Sequence, residues 1–185
     1  ATAQATWQRD LGEVPAGTTR TLTVPMPGAH NLANAAAALV AATAGLGQDV
    51  DAVLAGLAAY PGTHRRFELV GEAAGVRVID DYAHNPDKVA AVVRAGRGLV
   101  DAAGRDEPKR GRLVVVFQPH LFTRTRDFAT EFAEGLSAAD VVVLMDVYAA
   151  REDPLDGVTG ATIADLVHGP EVHFVPERER VVPLV

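Results

Sequence analysis

Hydrophobic and polar positions change rhythm about a third of the way along the chain. Residues 4–9 and 18–24 alternate and are rich in Thr, Val and Leu. The stretch between them, Gly-Glu-Val-Pro-Ala-Gly at 12–17, has turn composition, so this region predicts a β-hairpin. Pro25 and Pro27 stop the second strand. Residues 29–44 are almost all alanine, with Leu32, Leu39 and Val40 on the apolar side, which predicts a helix able to pack close to a neighbour. Gly45 and Gly47 end it, and Asp49 suits the N-cap of a second helix running through Tyr60. Pro61-Gly62 is a hard break and the natural hinge region.

Beyond that break, strand and helix patterns alternate. Residues 67–70 and 76–79 predict a hairpin-like pair around 71–75, with 76–79 reading as a short buried strand. Pro86 opens a helix over 87–99, placed where a first helical turn tolerates it. A charged loop follows at 101–112. Residues 113–117 form an unbroken apolar run, as expected for a strand covered on both faces. Phe128, Phe132 and Leu136 mark one face of a helix, 141–145 a buried strand, 159–167 a helix and 172–175 a last strand. A helix start is expected at 176–180. This alternation predicts an α/β fold with a mostly parallel sheet and right-handed crossovers.

Composition narrows the class. A chain of 185 residues, 48% hydrophobic and 22% charged, can bury a full core as one domain or two small ones. No apolar run approaches membrane-spanning length, and the N-terminus lacks a signal-peptide layout. There is no cysteine, which removes disulfides, thiol nucleophiles and thiolate metal sites and makes the cytoplasm the default compartment. A net charge of −7 argues against a nucleic-acid surface but allows local phosphate binding.

Chemistry-bearing residues gather at strand ends. Asp80-Asp81-Tyr82-Ala83-His84-Asn85-Pro86 follows the 76–79 run, and Gln118-Pro119-His120-Leu121-Phe122-Thr123-Arg124-Thr125 follows 113–117. Asp146-Val147-Tyr148-Ala149-Ala150-Arg151-Glu152-Asp153-Pro154 follows 141–145. Taken singly, such a turn most often only caps a helix. Three on one edge of a parallel sheet describe a cleft, with imidazoles and guanidiniums suited to an anionic ligand. In the first part, Asn31 and Asn34 are three apart near a helix start, so both amides face one side and can meet a purine edge or simply cap the helix. Arg65-Arg66 lies just past the hinge, where an arginine can reach a phosphate held between two domains.

Together, His30-Asn-x-x-Asn34, Arg65-Arg-Phe-Glu68, Asp80-Asp-Tyr-Ala-His84, Phe117-Gln-Pro-His120 and Tyr148-Ala-Ala-Arg-Glu152 resemble the Mur ligases. Within that family they resemble the member that adds the first amino acid of the peptidoglycan stem peptide. The resemblance implies an ATP-dependent amide ligase acting on UDP-N-acetylmuramate and L-alanine through an acyl phosphate, with Mg²⁺ offsetting phosphoryl charge. It implies that residues 1–64 are the tail of an α/β ATPase domain, hairpin plus helices, and 65–185 most of a Rossmann-like C-terminal domain. It assigns Asn31 and Asn34 to the adenine, Asp81 to the ribose and Arg66 to the ATP phosphates. Tyr82, His84, His120 and Arg124 fall to the alanine and muramoyl pocket, with Arg66 and His84 as the catalytic candidates. Tyr148, Arg151 and Glu152 border that cleft without an assigned role. Family members often carry Arg at the position of Leu121 and a second His at that of Asn85. The chain holds no Gly-x-x-x-x-Gly-Lys-[Ser/Thr], so it reads as a fragment, inactive by itself, with the Mg²⁺ ligands mainly elsewhere. Its partners are then the small-molecule substrates and the remainder of the same enzyme, with no nucleic acid and no membrane. Two other readings stand beside it: a metal-dependent hydrolase using Asp80, Asp81, His84 and His120, and a non-catalytic binding module.

Overall fold

The computed structural model describes residues 1–11, 14–103 and 111–184; the expected turn at 12–17 and charged loop at 101–112 lie partly outside the described residues. The chain forms two compact units, Ala1–Tyr82 and Ala83–Val185.

In the first unit, β1 (Thr2–Thr6) pairs antiparallel with β2 (Thr19–Thr23), Thr2 facing Thr23. The first strand thus starts two residues earlier than its alternation suggested. Beyond Thr6, Trp7 keeps two bonds to the returning chain, its N–H to the Thr18 carbonyl at 3.0 Å and its carbonyl from the Gly17 N–H at 2.7 Å. Helix α1 (Ala29–Val40) runs on into a π-helical turn, Ala41–Gly45, where the Thr43 hydroxyl donates to the Leu39 carbonyl at 2.7 Å. Helix α2 (Val50–Ala59) begins as expected at Asp49, whose Oδ1 accepts the Ala52 N–H at 2.8 Å. Leu22, Val24 and Ala35 form a small core with Leu32, Ala36, Leu54 and Leu57 against it. The alanines of α1 allow that approach.

The hairpin of β3 (Glu68–Ala73) and β4 (Val76–Asp80) corrects two expectations. Gly71 is not in the turn; it sits in the strand beside a bulge after Leu69, and the reversal is made by Ala74 and Gly75 at φ 50° and 78°. Nor is β4 a buried strand of the parallel sheet. It pairs antiparallel with β3, and Leu69, Val70, Val76 and Val78 are exposed. A short run of β-branched residues fits an exposed ribbon and a buried strand equally, because periodicity says nothing of what covers it.

The second unit holds the parallel sheet, in the order β5 (Val114–Phe117), β6 (Val141–Leu144), β7 (Glu171–Phe174). Helix α3 (Pro86–Ala103) starts with Pro86 after Asn85, whose Oδ1 accepts the Lys88 N–H at 3.0 Å. The cap is therefore Asn85. Val89 and Val93 of α3 meet Phe132, Ala133 and Leu136 of α5 (Ala129–Leu136) and Val142 and Leu144 of the sheet in one core, joined by Ile163 of α6 (Ala161–Ala164). The central strand β6 is buried throughout. β5 is not covered on both faces: Val114 and Val116 are exposed, on the same face as Val141 and Val143 beside them. On that face Val181, Met145 and Val175 pack around Val141 and Val143 of the central strand.

One helix expected around Phe128 is two. α4 (Phe122–Asp127) ends where Phe128 leaves helical geometry at φ −125°, ψ 23°, and its ring is exposed. Phe132 and Leu136 are the buried face of α5 alone. After β7 the expected helix start is a single 3₁₀ turn, Arg178–Arg180.

Candidate functional site

The loops after β5 and β6 are stitched together. Tyr148 donates its N–H to the Pro119 carbonyl at 2.8 Å, and Leu121 donates to the Tyr148 carbonyl at 3.0 Å, so His120 and Tyr148 face one another as a parallel bridge. This extends the strand pairing beyond Phe117 and Leu144 to the carboxyl edge of the sheet, where parallel α/β folds place ligands. The His120 ring lies 5.3 Å from that of Tyr148 and 6.3 Å from that of His84, centroid to centroid. Arg124, on α4, turns its Nη1 onto the His84 carbonyl at 3.1 Å. His84, His120, Arg124 and Tyr148 therefore form one cluster in the second unit.

Its electrostatics favour an anion. Burial of the His120 imidazole lowers its pKa from the ordinary value of 6.5, and the positive charges of Arg124 and His84 push it the same way, with Glu152 opposing. His120 is thus uncharged at neutral pH, and its Nδ1 is enclosed with no hydrogen-bond partner among the described residues. Leu121, between His120 and α4, has φ 75° and ψ 131°, a backbone state that L residues seldom adopt. A parallel-sheet loop that carries both an imidazole and a strained leucine is held by its neighbours and not by its own preference.

The strongest of those neighbours is Glu152. Its Oε2 accepts the Thr123 N–H at 2.9 Å and its Oε1 accepts the Thr123 hydroxyl. These bonds, with the Phe122 N–H and the charge of Arg124 behind them, hold the Glu152 carboxyl below the usual carboxylate range. Sequence reasoning gave Thr123 no role and Glu152 no assignment. Nothing local signals the pair, because they lie 29 positions apart. Beside them, Asp146 Oδ1 accepts the N–H groups of Val147 and Gly160, tying the end of β6 to the start of α6.

The remaining predicted residues belong to the first unit. Asp81 Oδ2 accepts the Phe67 N–H at 2.8 Å, and the Tyr82 N–H donates to the Arg65 carbonyl at 2.9 Å. The Arg65 guanidinium sits 4.7 Å above the Tyr82 ring and 3.4 Å from an Asp80 oxygen. Arg65 and Phe67 both have left-handed backbones, φ 57° and 50°, on either side of the exposed Arg66. Asn31 donates its amide to the Pro27 carbonyl at 2.7 Å, which leaves its Oδ1 as an acceptor, and Asn34 is exposed. The aspartates, Tyr82 and the arginines are thus gathered around one turn, while the asparagines lie on α1.

No group of three His, Asp or Glu residues lies close enough to hold a metal ion among the described residues. Asp80 and Asp81 are engaged by Arg65 and the Phe67 amide, and the hydrolase reading finds no ligand set among the described residues.

Comparison with known proteins bears on what this cluster serves. The family model described as Mur ligase, glutamate ligase domain, matches residues 65–185. The UDP-N-acetylmuramate–L-alanine ligase of Nocardia farcinica is 51% identical over 94% of this chain and 34% of its own length. That of Kineococcus radiotolerans is 56% identical over 89% of this chain and 34% of its own. Among solved structures, UDP-N-acetylmuramate–alanine ligase of Thermotoga maritima superposes with a TM-score of 0.70 at 30% identity, covering 92% of this chain and 34% of that one. The chain spans about a third of the length of the curated relatives it matches. No helix among the described residues is long and apolar enough to cross a membrane. The match over residues 65–185, more than half of the chain, places it in the Mur ligase family through its glutamate ligase domain.

Proposed function

We propose that the chain works as part of a cytoplasmic ATP-dependent ligase that joins L-alanine to UDP-N-acetylmuramate. The observation that carries this is the His84–His120–Arg124 cluster at the carboxyl edge of the sheet, in a chain that resembles ligases of that name at 51–56% identity. In this reading residues 1–64 finish an ATP-binding domain and 65–185 form the amino-acid-adding domain.

ATP supplies the activation of the muramoyl carboxylate by phosphoryl transfer. The chain's own residues bind and orient. Asn31 Oδ1 and the Asn34 amide take the adenine edge, the second oxygen of Asp81 takes the ribose, and the exposed Arg66 takes phosphate oxygens. In this assignment the Mg²⁺ ligands lie mainly in the remainder of the enzyme. Alanine offers a methyl group with little area to bury, so its carboxylate must provide most of its affinity. Arg124 meets that need, since a guanidinium grips a carboxylate through two parallel hydrogen bonds. The neutral His120 and the neighbouring His84 then face the amine, which must lose its proton before it can attack; an uncharged imidazole can accept it. Tyr82 is assigned to the substrate by the resemblance alone.

The test is Arg124→Lys in the full-length ligase that carries this chain. It keeps the charge and loses the fork, so the apparent KM for alanine should rise about tenfold with little change for ATP. An unchanged alanine KM and kcat would place the carboxylate anchor elsewhere.

A further inference from the structure

We propose that Glu152 is a positioning residue for amino-acid binding: it caps α4 from across the fold and so sets where Arg124 presents its guanidinium. The inference rests on the assignment of Arg124 to the alanine carboxylate.

Helix α4 has only six residues and begins at Leu121, whose side chain offers no capping acceptor. A helix this short cannot sustain itself, because its nucleation cost exceeds what its few internal bonds return. Its first N–H groups need an acceptor. The Glu152 carboxylate supplies one for Thr123, and the Thr123 hydroxyl adds a second contact. A negative charge is also the favoured partner of a helix N-terminus. Arg124 follows Thr123 directly, so a tilt of α4 moves its guanidinium. Its Nη1 donates to the His84 carbonyl, so α4 and that carbonyl together set where the guanidinium lies.

The segment around Glu152 is itself shaped for this task. Ala150 adopts φ 55°, and the Glu152 N–H donates to the Ala149 carbonyl at 3.0 Å, a tight turn that swings the carboxylate toward α4. The Tyr148–Pro119 and Leu121–Tyr148 bonds hold the two loops together just upstream. Glu152 is therefore the last fastening between the loop after β6 and the helix that carries Arg124.

Four substitutions in the full-length ligase test this. Glu152→Gln keeps the shape, leaves one acceptor oxygen and removes the charge. The apparent alanine KM should rise about fivefold while the ATP KM stays within about twofold. Thr123→Val should give a smaller rise and Thr123→Ser should restore wild-type behaviour. In an Arg124→Lys background Glu152→Gln should add less than about twofold, since the anchor it positions is already lost. If Arg124→Lys raises the alanine KM and Glu152→Gln does not, the positioning role falls and the assignment of Arg124 stands. An effect of Glu152→Gln that is undiminished in the Arg124→Lys background also overturns the role, because Glu152 would then act by another route. If Arg124→Lys alone leaves the alanine KM unchanged, the carboxylate assignment fails and the positioning role fails with it.

Discussion

Replacing Asp81 should separate a backbone role from a ligand role in one side chain. Its Oδ2 accepts the Phe67 N–H at 2.8 Å, and Phe67 is buried with a left-handed backbone at φ 50°. A hydrogen bond to a charged group contributes about 1.5–3 kcal/mol, so Asp81→Ala should destabilise the first unit by about 2 kcal/mol. In a unit of 82 residues that corresponds to a midpoint lowered by about 10 °C. Asp81→Asn keeps an acceptor for the Phe67 N–H and should cost about half as much, since a neutral bond of about 1 kcal/mol remains. Its amide nitrogen would then face the ribose with donors where hydroxyl groups need an acceptor. The apparent ATP KM of the full-length ligase should rise about tenfold in Asp81→Asn, with the muramoyl-substrate KM little changed. Thermal unfolding followed by circular dichroism reads the first effect and steady-state kinetics the second. An Asp81→Ala midpoint equal to that of the wild type would refute the backbone argument. An unchanged ATP KM in folded Asp81→Asn would remove Asp81 from the nucleotide site.

Two further outcomes follow from the second unit. A Cβ on Gly160 would run into the Met145 carbonyl and come within 2.9 Å of the Phe174 ring, so Gly160→Ala should lower stability by about 1–3 kcal/mol in urea unfolding; an unshifted midpoint would mean the strand end yields freely. Because the His120 pKa is lowered on folding, the unfolded chain binds that proton more readily, and stability should fall as pH drops from 6.5 through the lower folded value. His120→Gln should flatten that part of the profile, and a profile of unchanged slope would show that His120 does not govern it.

How far the fold could be read from the residues depended on whether the signal was local. Asp49 as an N-cap, Pro86 at a first helical turn and Pro61-Gly62 as a break all follow from one or two residues, and the structure places the first two as expected. The strands expected at 113–117, 141–145 and 172–175 likewise become the three parallel strands, each within a residue of its expected ends. What failed was coverage. Val76 and Val78 look as apolar as Val142 and Val143, yet the former are exposed on a hairpin and the latter are fully buried. β-branched composition fixes the extended backbone and leaves open which strand will be its neighbour. Phe128 failed for a related reason. It holds the right spacing from Phe132, but the helix is interrupted there by backbone geometry that no side-chain period records.

The site divided along the same line. His84, His120 and Arg124 stood out because imidazoles and a guanidinium after apolar runs are chemically conspicuous, and the second unit brings His84, just before α3, within 6.3 Å of His120. Glu152 was visible as a charged residue and nothing more, since its meaning comes from Thr123, 29 positions away. A weaker clue was nonetheless present. Leu121 precedes a helical segment and cannot cap it, so the Phe122 and Thr123 N–H groups require an acceptor from some other part of the chain. The acceptor had to be a carboxylate, carbonyl or hydroxyl able to reach α4, and stitching the β5 and β6 loops together brings the residues after Tyr148 there. An unfilled N-cap beside a predicted substrate arginine thus points to a long-range clamp before the clamp itself can be named, and the strained backbone of Leu121 is what that arrangement costs.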